Sequence, residues 1–508
     1  TVADVTIAEV AIAEVAVAEV AVAGAGSTPP EFKGTDTQPA LNTALATEAE
    51  APASQLDSAP ASEEVSLQRR VFNLAWPVIS ENFLQTLLGI VDTLMVASLG
   101  AAALAGVGSA IQVMFFIIAA LSAVSVGSSV LVAQAYGAKR LDRASIFAKQ
   151  SLVLSLLISI PLVLVGLFAS GPIISIFMME PDVSAIGAEY LQVTMGTVAV
   201  LTLVLLGGGV MRGLGDSRTP MLITLFANVI NVVLTYGLIF GAFGMPEMGA
   251  VGSAWGTFIS RLVGFIILMV VMWRGVRGVS IRGLAGWFPR LESVRNILKI
   301  GFPAASEQLL ISTAFLTMSI VVAQLGTEAL AAHRIAMNAM SVSFLPGIGF
   351  GLAATALVGQ SIGAQRSYEG LAVARISTTW ALIWMGVLGT VFFIYAEGII
   401  SLFSDDPAVI AMGAAGLRPV ALAQPFWAVF FVQSGAMRGT GNTGFPLRVN
   451  STSIWVSVII GAIGIQFFGL GLEAVWGSFL ITAPITAVIL WRKFQSTIQS
   501  GDLVTAIH

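Results

Sequence analysis

The sequence predicts an all-α membrane protein of twelve transmembrane helices, arranged as two parallel six-helix repeats. Three observations carry this. The 508-residue chain is 56% hydrophobic and only 10% charged, with a mean hydropathy of +0.90; a soluble domain carries about 25% charged residues. Apolar runs long enough for a span, about 20 residues each, recur along the chain. Nearly the same loop also occurs twice, MRGLGDSRTP at 211–220 and MRGTGNTGFP at 437–446, 226 residues apart.

The chain begins with an acidic segment. Residues 1–67 hold eleven acids and one base, Lys33, for a net charge of −10; the rest holds 17 acids and 23 Lys/Arg, for +6. The segment opens on EVAIA, EVAVA, EVAVA with a five-residue step, which fits neither strand nor helix period. A Pro/Ala/Glu/Thr stretch follows, and its composition predicts disorder. It lacks the basic start and compact apolar run of a signal peptide. The expected domains are this tail at 1–67, a first lobe at 68–275, a linker at 276–297, a second lobe at 298–492 and a tail at 493–508.

The repeat extends through the lobes. At a shift of 226, Pro77 and Glu81 meet Pro303 and Glu307. Gly100 meets Gly326, and Gln134, Gly137 and Arg140 meet Gln360, Gly363 and Arg366. Met211, Arg212, Gly213 and Pro220 meet Met437, Arg438, Gly439 and Pro446. Later, Ala254–Gly256 and Val475–Gly477 pair at a shift of 221. Six spans are expected in the first half, at 71–98, 104–133, 147–169, 187–209, 219–242 and 251–273. Six more are expected at 298–325, 330–358, 371–396, 411–436, 446–468 and 473–491.

Charge placement agrees with that count. Lys and Arg gather in cytoplasmic loops. With the N-terminus inside, the inner segments hold Arg69, Arg70, Lys139, Arg140, Arg212, Arg274, Arg277, Arg366 and Arg438, whereas the outer loops hold Glu180, Asp182, Glu247, Glu328, Asp405 and Asp406. Both termini are then cytoplasmic. An even number of spans per half makes the repeats parallel, a transporter plan whose site lies between or within the halves. The twin loops read as equivalent inner elbows, with Arg212 and Arg438 as topology charges and a gating role as the alternative.

Several function classes are excluded. No cysteine is present, so disulfides, thiolate metal sites and cysteine nucleophiles are absent. His333 and His508 are the only histidines, too few for a histidine-rich metal centre. No Gly-rich phosphate loop followed by Lys and no HExxH motif occurs, so an enzyme is not expected, nor is a cofactor or a nucleic-acid partner.

The ordered motifs VISENFLQTLLGIVDTLMVASLGAAALAGVG, LVAQAYGAKR, MRGLGDSRTPM, LVGQSIGAQR and MRGTGNTGFP resemble the multidrug and toxic compound extrusion family, over residues 68–492. The resemblance implies two lobes forming a V, whose cleft opens alternately to each side. It implies a monomeric exporter of drug-like, often cationic compounds, driven by H+ or Na+, in a cytoplasmic membrane of bacterial or archaeal type. A lipid-linked precursor flippase of the same superfamily, or an exporter of a narrow metabolite class, is the alternative. Such a flippase is expected to carry several intramembrane Lys or Arg, and one clear case occurs, Arg261.

An ionisable residue inside a span is a functional hypothesis by default. Glu81, Asp92 and Glu307 are the acids well inside spans. The acid in GIVDTLMV matches a family acid, making Asp92 the main candidate to hold a proton, Na+ or a cationic cargo; its repeat mate is Met318. Asn231 and Thr257 match polar family positions, with Asn228 beside them. Thr235 stands where many relatives carry a second acid, a departure that weakens a two-acid site. Arg261, one turn past Thr257, either pairs with Asp92 or faces a wet cavity. Glu81 and Glu307 each follow a proline by four residues, and either bond freed backbone there or flank the cleft. The expected coupling ion is H+ or Na+; if it is Na+, Asp92 or Glu307 is the candidate to hold it. A sodium-coupled branch of the family carries its acid where Ile311 stands here. His333 is expected as a satisfied interfacial residue.

Overall fold

The computed structural model describes residues 61–501, and among them the chain is helical apart from short connections and one isolated β-bridge. The expected tail disorder lies outside the described residues, except that 61–67 already belong to the first helix. The first lobe comprises α1 (Ala61–Ala97), α2 (Ala101–Gly137), α3 (Leu141–Ser175), α4 (Pro181–Gly196), α5 (Val198–Gly213), α6 (Arg218–Phe240) and α7 (Gly249–Arg274). The second comprises α8 (Leu291–Ala323), α9 (Thr327–Gly363), α10 (Ser367–Ile394), the short α11 (Ala396–Ser401), α12 (Pro407–Gly439), α13 (Gly444–Phe468) and α14 (Leu472–Ser500).

Eleven of these helices are long and apolar enough to cross a membrane, and the α4–α5 pair makes a twelfth span bent by 51°. The sequence predicts one span at 187–209 there; the structure breaks it at Thr197. Its hydroxyl donates back to the carbonyls of Val193 and Thr194, as hydroxyls within helices commonly do. The linker is shorter than predicted because α8 already begins at Leu291. It is tied to α3 by Lys149, whose Nζ donates to the carbonyls of Arg282, Gly283 and Ala285 at 2.6, 3.1 and 2.9 Å.

The duplication is visible in the backbone. The α1–α2 and α8–α9 turns both require a glycine at positive φ, Gly100 at 109° and Gly326 at 107°. Only glycine enters that region without steric cost.

The lobes meet at the end that carries Arg70, Lys139, Arg277 and Arg366, here termed the basic face. Near it, each lobe's first helix crosses into the other lobe's core. Val71, Leu74 and Ala75 of α1 pack in the second lobe's core. Their repeat mates include Ile297 and Ile300 of α8, which pack in the first lobe's core. Toward the opposite, acidic face the first lobe's core draws on its own residues alone.

Two reciprocal hydrogen bonds seal the seam. Gln134 donates from Nε2 to the Gly439 carbonyl at 3.2 Å, and its mate Gln360 donates to the Gly213 carbonyl at 2.8 Å. A side chain at Gly137 or Gly363 would fall on the backbone of Gln360 or Gln134. Among the described residues, no hydrogen bond or ion pair joins the lobes toward the acidic face. The molecule is therefore closed at its basic end.

Candidate functional site

The predicted polar residues fall into three groups, each built from neighbouring helices. The first lies in the first lobe toward the acidic face. Asp92 is on α1, Tyr190 on α4, and Ser253 and Arg261 on α7. Tyr190 is buried, lies beside Ser253, and is within the electrostatic reach of both Asp92 and Arg261. Asp92 and Arg261 feel each other's charge. They do not form a contact ion pair: among the described residues, neither has an oppositely charged group within 4 Å. Asp92 Oδ1 is buried with no hydrogen-bond partner. A lone buried carboxylate oxygen is costly, and it leaves an acceptor open to a proton or cation. Sequence reasoning does not single out Tyr190 or Ser253; a tyrosine at the start of a predicted apolar span is the available signal.

The second group joins α6 to α7. Asn231 is buried and donates to the hydroxyls of Thr257 at 3.1 Å and Ser260 at 3.2 Å. Thr235 donates to Asn231 Oδ1 at 3.3 Å. Asn228 donates instead to the Leu84 carbonyl of α1 at 2.9 Å. These bonds satisfy one another across helices, which is how buried amides and hydroxyls associate spans. No bond from this group reaches Asp92. In the second lobe hydroxyls join α13 to α14: Ser457, the mate of Asn231, bonds Thr482 at 2.6 Å, and Thr486 donates to Ser453 at 2.6 Å.

The third group is duplicated and lies nearer the basic face. Arg212 donates to Glu81 at 3.1 Å, and Arg438 donates to Glu307 at 2.7 Å. The two arginines are not the loop charges that the sequence predicts. Each occupies the last turn of its helix, α5 or α12, and its long side chain turns inward to reach the acid. Neither glutamate bonds the backbone beside its proline.

The two pairs differ in burial. Glu307 is almost fully enclosed and also accepts from Asn450 Nδ2 at 2.6 Å, which in turn donates to Ser434 at 2.9 Å. The mates of Asn450 and Ser434 in the first lobe are Thr224 and Gly208, so the Glu81 pair lacks both supports. Glu307 Oε2 and Asn450 Oδ1 are buried without partners. His333 is fully buried. Its Nε2 lies 3.2 Å from the Ser319 hydroxyl, its ring packs on Trp476, and its Nδ1 has no partner.

Similarities to other proteins agree with this architecture. A family model described as MatE matches residues 77–237 and 303–463, two segments offset by the same 226 residues as the repeat. A probable multidrug resistance protein NorM of Thermotoga maritima is 33% identical over 419 residues, covering 82% of this chain and 90% of the relative. A multidrug resistance protein NorM of Burkholderia vietnamiensis is 30% identical over 443 residues, covering 85% and 94%. Among solved structures, a MOP superfamily transporter from Pyrococcus furiosus superposes with a TM-score of 0.80 at 22% identity, covering 85% of this chain and 96% of that one.

Proposed function

The chain belongs to the MatE family of transporters, and we propose that it is a secondary active exporter of small amphipathic compounds, cationic ones foremost, that moves them against inward H+ or Na+. The drug-resistance names of its relatives support a drug-like cargo. Asp92 is the coupling residue in this reading, and the basic face with both termini is cytoplasmic, as the loop charges favour.

The observation that carries the proposal is the unpartnered, buried Oδ1 of Asp92 inside an apolar lobe. A proton or Na+ on this oxygen stabilises one arrangement of the lobes. A cationic cargo against the ionised carboxylate stabilises the other. The two ligands compete for one acid, so exit of one is linked to entry of the other. Each shifts the equilibrium only by its differential affinity. The electrical driving force is about 2.3 kcal/mol per charge per 100 mV. No cluster of three or more His, Asp or Glu occurs among the described residues, so Na+ here draws on one carboxylate and neutral oxygens such as the Tyr190 and Ser253 hydroxyls. Asn231, Thr235 and Thr257 hold α6 against α7 behind the site, and Arg261 sets its charge balance.

A second reading places coupling in the second lobe. The unpartnered oxygens of Glu307 and Asn450 favour it, and the adjoining Arg438 guanidinium opposes a bound cation there.

Dye transport in inside-out vesicles tests both, with H+ and Na+ gradients imposed separately. The expected result is export of a cationic dye under one gradient only, abolished in Asp92→Asn. An active Asp92→Asn beside an inactive Glu307→Gln moves coupling to the second lobe. A wild type that transports no dye under either gradient points to the flippase or to a narrow metabolite class.

A further inference from the structure

Two cavities adjoin on the basic face at the seam between the lobes, one of about 440 Å³ and one of about 330 Å³. Arg70, Arg277 and Gln360 line both, and the two together are termed the recess. Five cations surround it: Arg70, Lys139, Arg218, Arg277 and Arg366. Its two acids, Glu369 and Asp216, leave a net charge of +3 (five less two).

Both acids are already engaged. Glu369 lies 2.7 Å from Arg70 and 3.7 Å from Arg366. Asp216 accepts from the backbone of Arg218 and Thr219 and from the Thr219 hydroxyl at the start of α6. Among the described residues, Lys139, Arg218 and Arg277 have no carboxylate within 4 Å. The Ser217 hydroxyl, on the same wall, is buried and has no partner.

Topology alone calls for basic loops, but not for a recess at the lobe seam or for the backbone that supplies these cations. Lys139 and Arg277 both sit in the left-handed region, at φ 57° and 51°. Lys139 ends α2 where helices usually place glycine. Arg277 is in a two-residue turn framed by the Val276–Val279 bridge, and its Nη1 is anchored on the Leu214 carbonyl at 3.0 Å. Non-glycine residues there cost stability, and such strain gathers at functional sites.

We infer that this recess binds a phosphate-bearing anion, from a phospholipid headgroup or from soluble phosphate. Lys139 and Arg218 come from the first lobe, Arg277 from the linker, and Arg366 and Gln360 from the second. An anion held by all three stabilises the arrangement in which the basic end is shut, because only that arrangement assembles the site.

Thermal unfolding of the full chain in a neutral detergent tests this. The probes are inorganic phosphate against chloride at equal ionic strength, and short-chain phosphatidylglycerol against short-chain phosphatidylcholine. The melting temperature is expected to rise saturably with a phosphate anion and not with its control. Response to inorganic phosphate alone assigns the soluble anion; response to phosphatidylglycerol alone assigns the headgroup. In Arg277→Gln and in Lys139→Gly the half-saturating concentration is expected to rise at least tenfold. Lys139→Gly relieves the backbone, so without ligand it melts no lower than wild type, which shows that the fold is intact. Gln365→Gly, the repeat mate at φ 59°, relieves the same strain outside the recess and keeps the wild-type response. The inference is overturned if neither probe gives a saturable shift, or if Lys139→Gly responds like wild type.

Discussion

Arg438 and Glu307 form a hydrogen-bonded ion pair at 2.7 Å across 131 residues of chain, and Arg212 and Glu81 repeat it at 3.1 Å across the same separation. The acid of the second-lobe pair is the more enclosed, with the Glu307 side chain 2% exposed against 12% for Glu81, although Arg438 is 25% exposed against 16% for Arg212. Removing one partner of a buried pair leaves an uncompensated charge and costs about 3–5 kcal/mol. Arg438→Ala is therefore expected to lower thermal stability more than Arg212→Ala, whose acid retains some water. Melting of the two variants in detergent measures the order; equal losses contradict it.

The Gln134 and Gln360 bonds to the opposite lobe each contribute about 1 kcal/mol. Gln134→Ala combined with Gln360→Ala is expected to shift the closed-to-open ratio of the basic end roughly 30-fold on that scale. The chain has no cysteine, so spin labels on introduced thiols need no background removal, and Ala138→Cys with Ala364→Cys reports the seam directly. A distance distribution unchanged by the double substitution removes the latch role.

Gly363→Ala sets a methyl group onto the Gln134 backbone. Overpacking of this kind costs about 1–3 kcal/mol or more, and here it acts only when the basic end is shut. The variant is expected to reach the membrane in normal amount, to populate the open basic end, and to lose most transport. Wild-type transport by this variant shows that the close approach is dispensable.

Asn231→Leu removes two bonds between α6 and α7 and leaves the hydroxyls of Thr257 and Ser260 short of a donor. Interhelical bonds in membranes average about 0.6 kcal/mol each, so on that scale a loss of about 1 kcal/mol in stability is expected. Asn228→Leu, which loses one bond to a backbone carbonyl, is expected to lose less. Thermal melts of both variants in one detergent provide the comparison.

Arg261→Gln removes the positive charge that shares the Asp92 environment. On the proposed mechanism a cationic cargo then meets less repulsion, worth at least roughly 1 kcal/mol, the bulk-water value at about 4 Å. The apparent KM for a cationic dye is expected to fall several-fold, with a smaller effect for a neutral dye. Equal effects on both dyes detach Arg261 from the cargo site.

The sequence by itself determined the membrane class, the duplication, the near-complete set of spans and the acids that lie within them. These are local properties. A hydrocarbon core demands a long apolar helix wherever the chain crosses it, and a duplicated gene keeps its spacing, so Pro77 with Pro303 and Arg212 with Arg438 are readable by shift alone. Tertiary structure decided which polar groups meet. Arg212 and Arg438 look like loop charges in the sequence because their side-chain direction depends on where α5 and α12 end and which acid lies within reach. The break at Thr197 interrupts an otherwise apolar span that the sequence reads as one helix. Asp92 and Arg261 share a lobe and an electrostatic field without touching, while Asn231 turns to Thr257 and Ser260. Those outcomes depend on the rotation and depth of each helix in its bundle, which packing among several helices sets at once and no single stretch of sequence encodes.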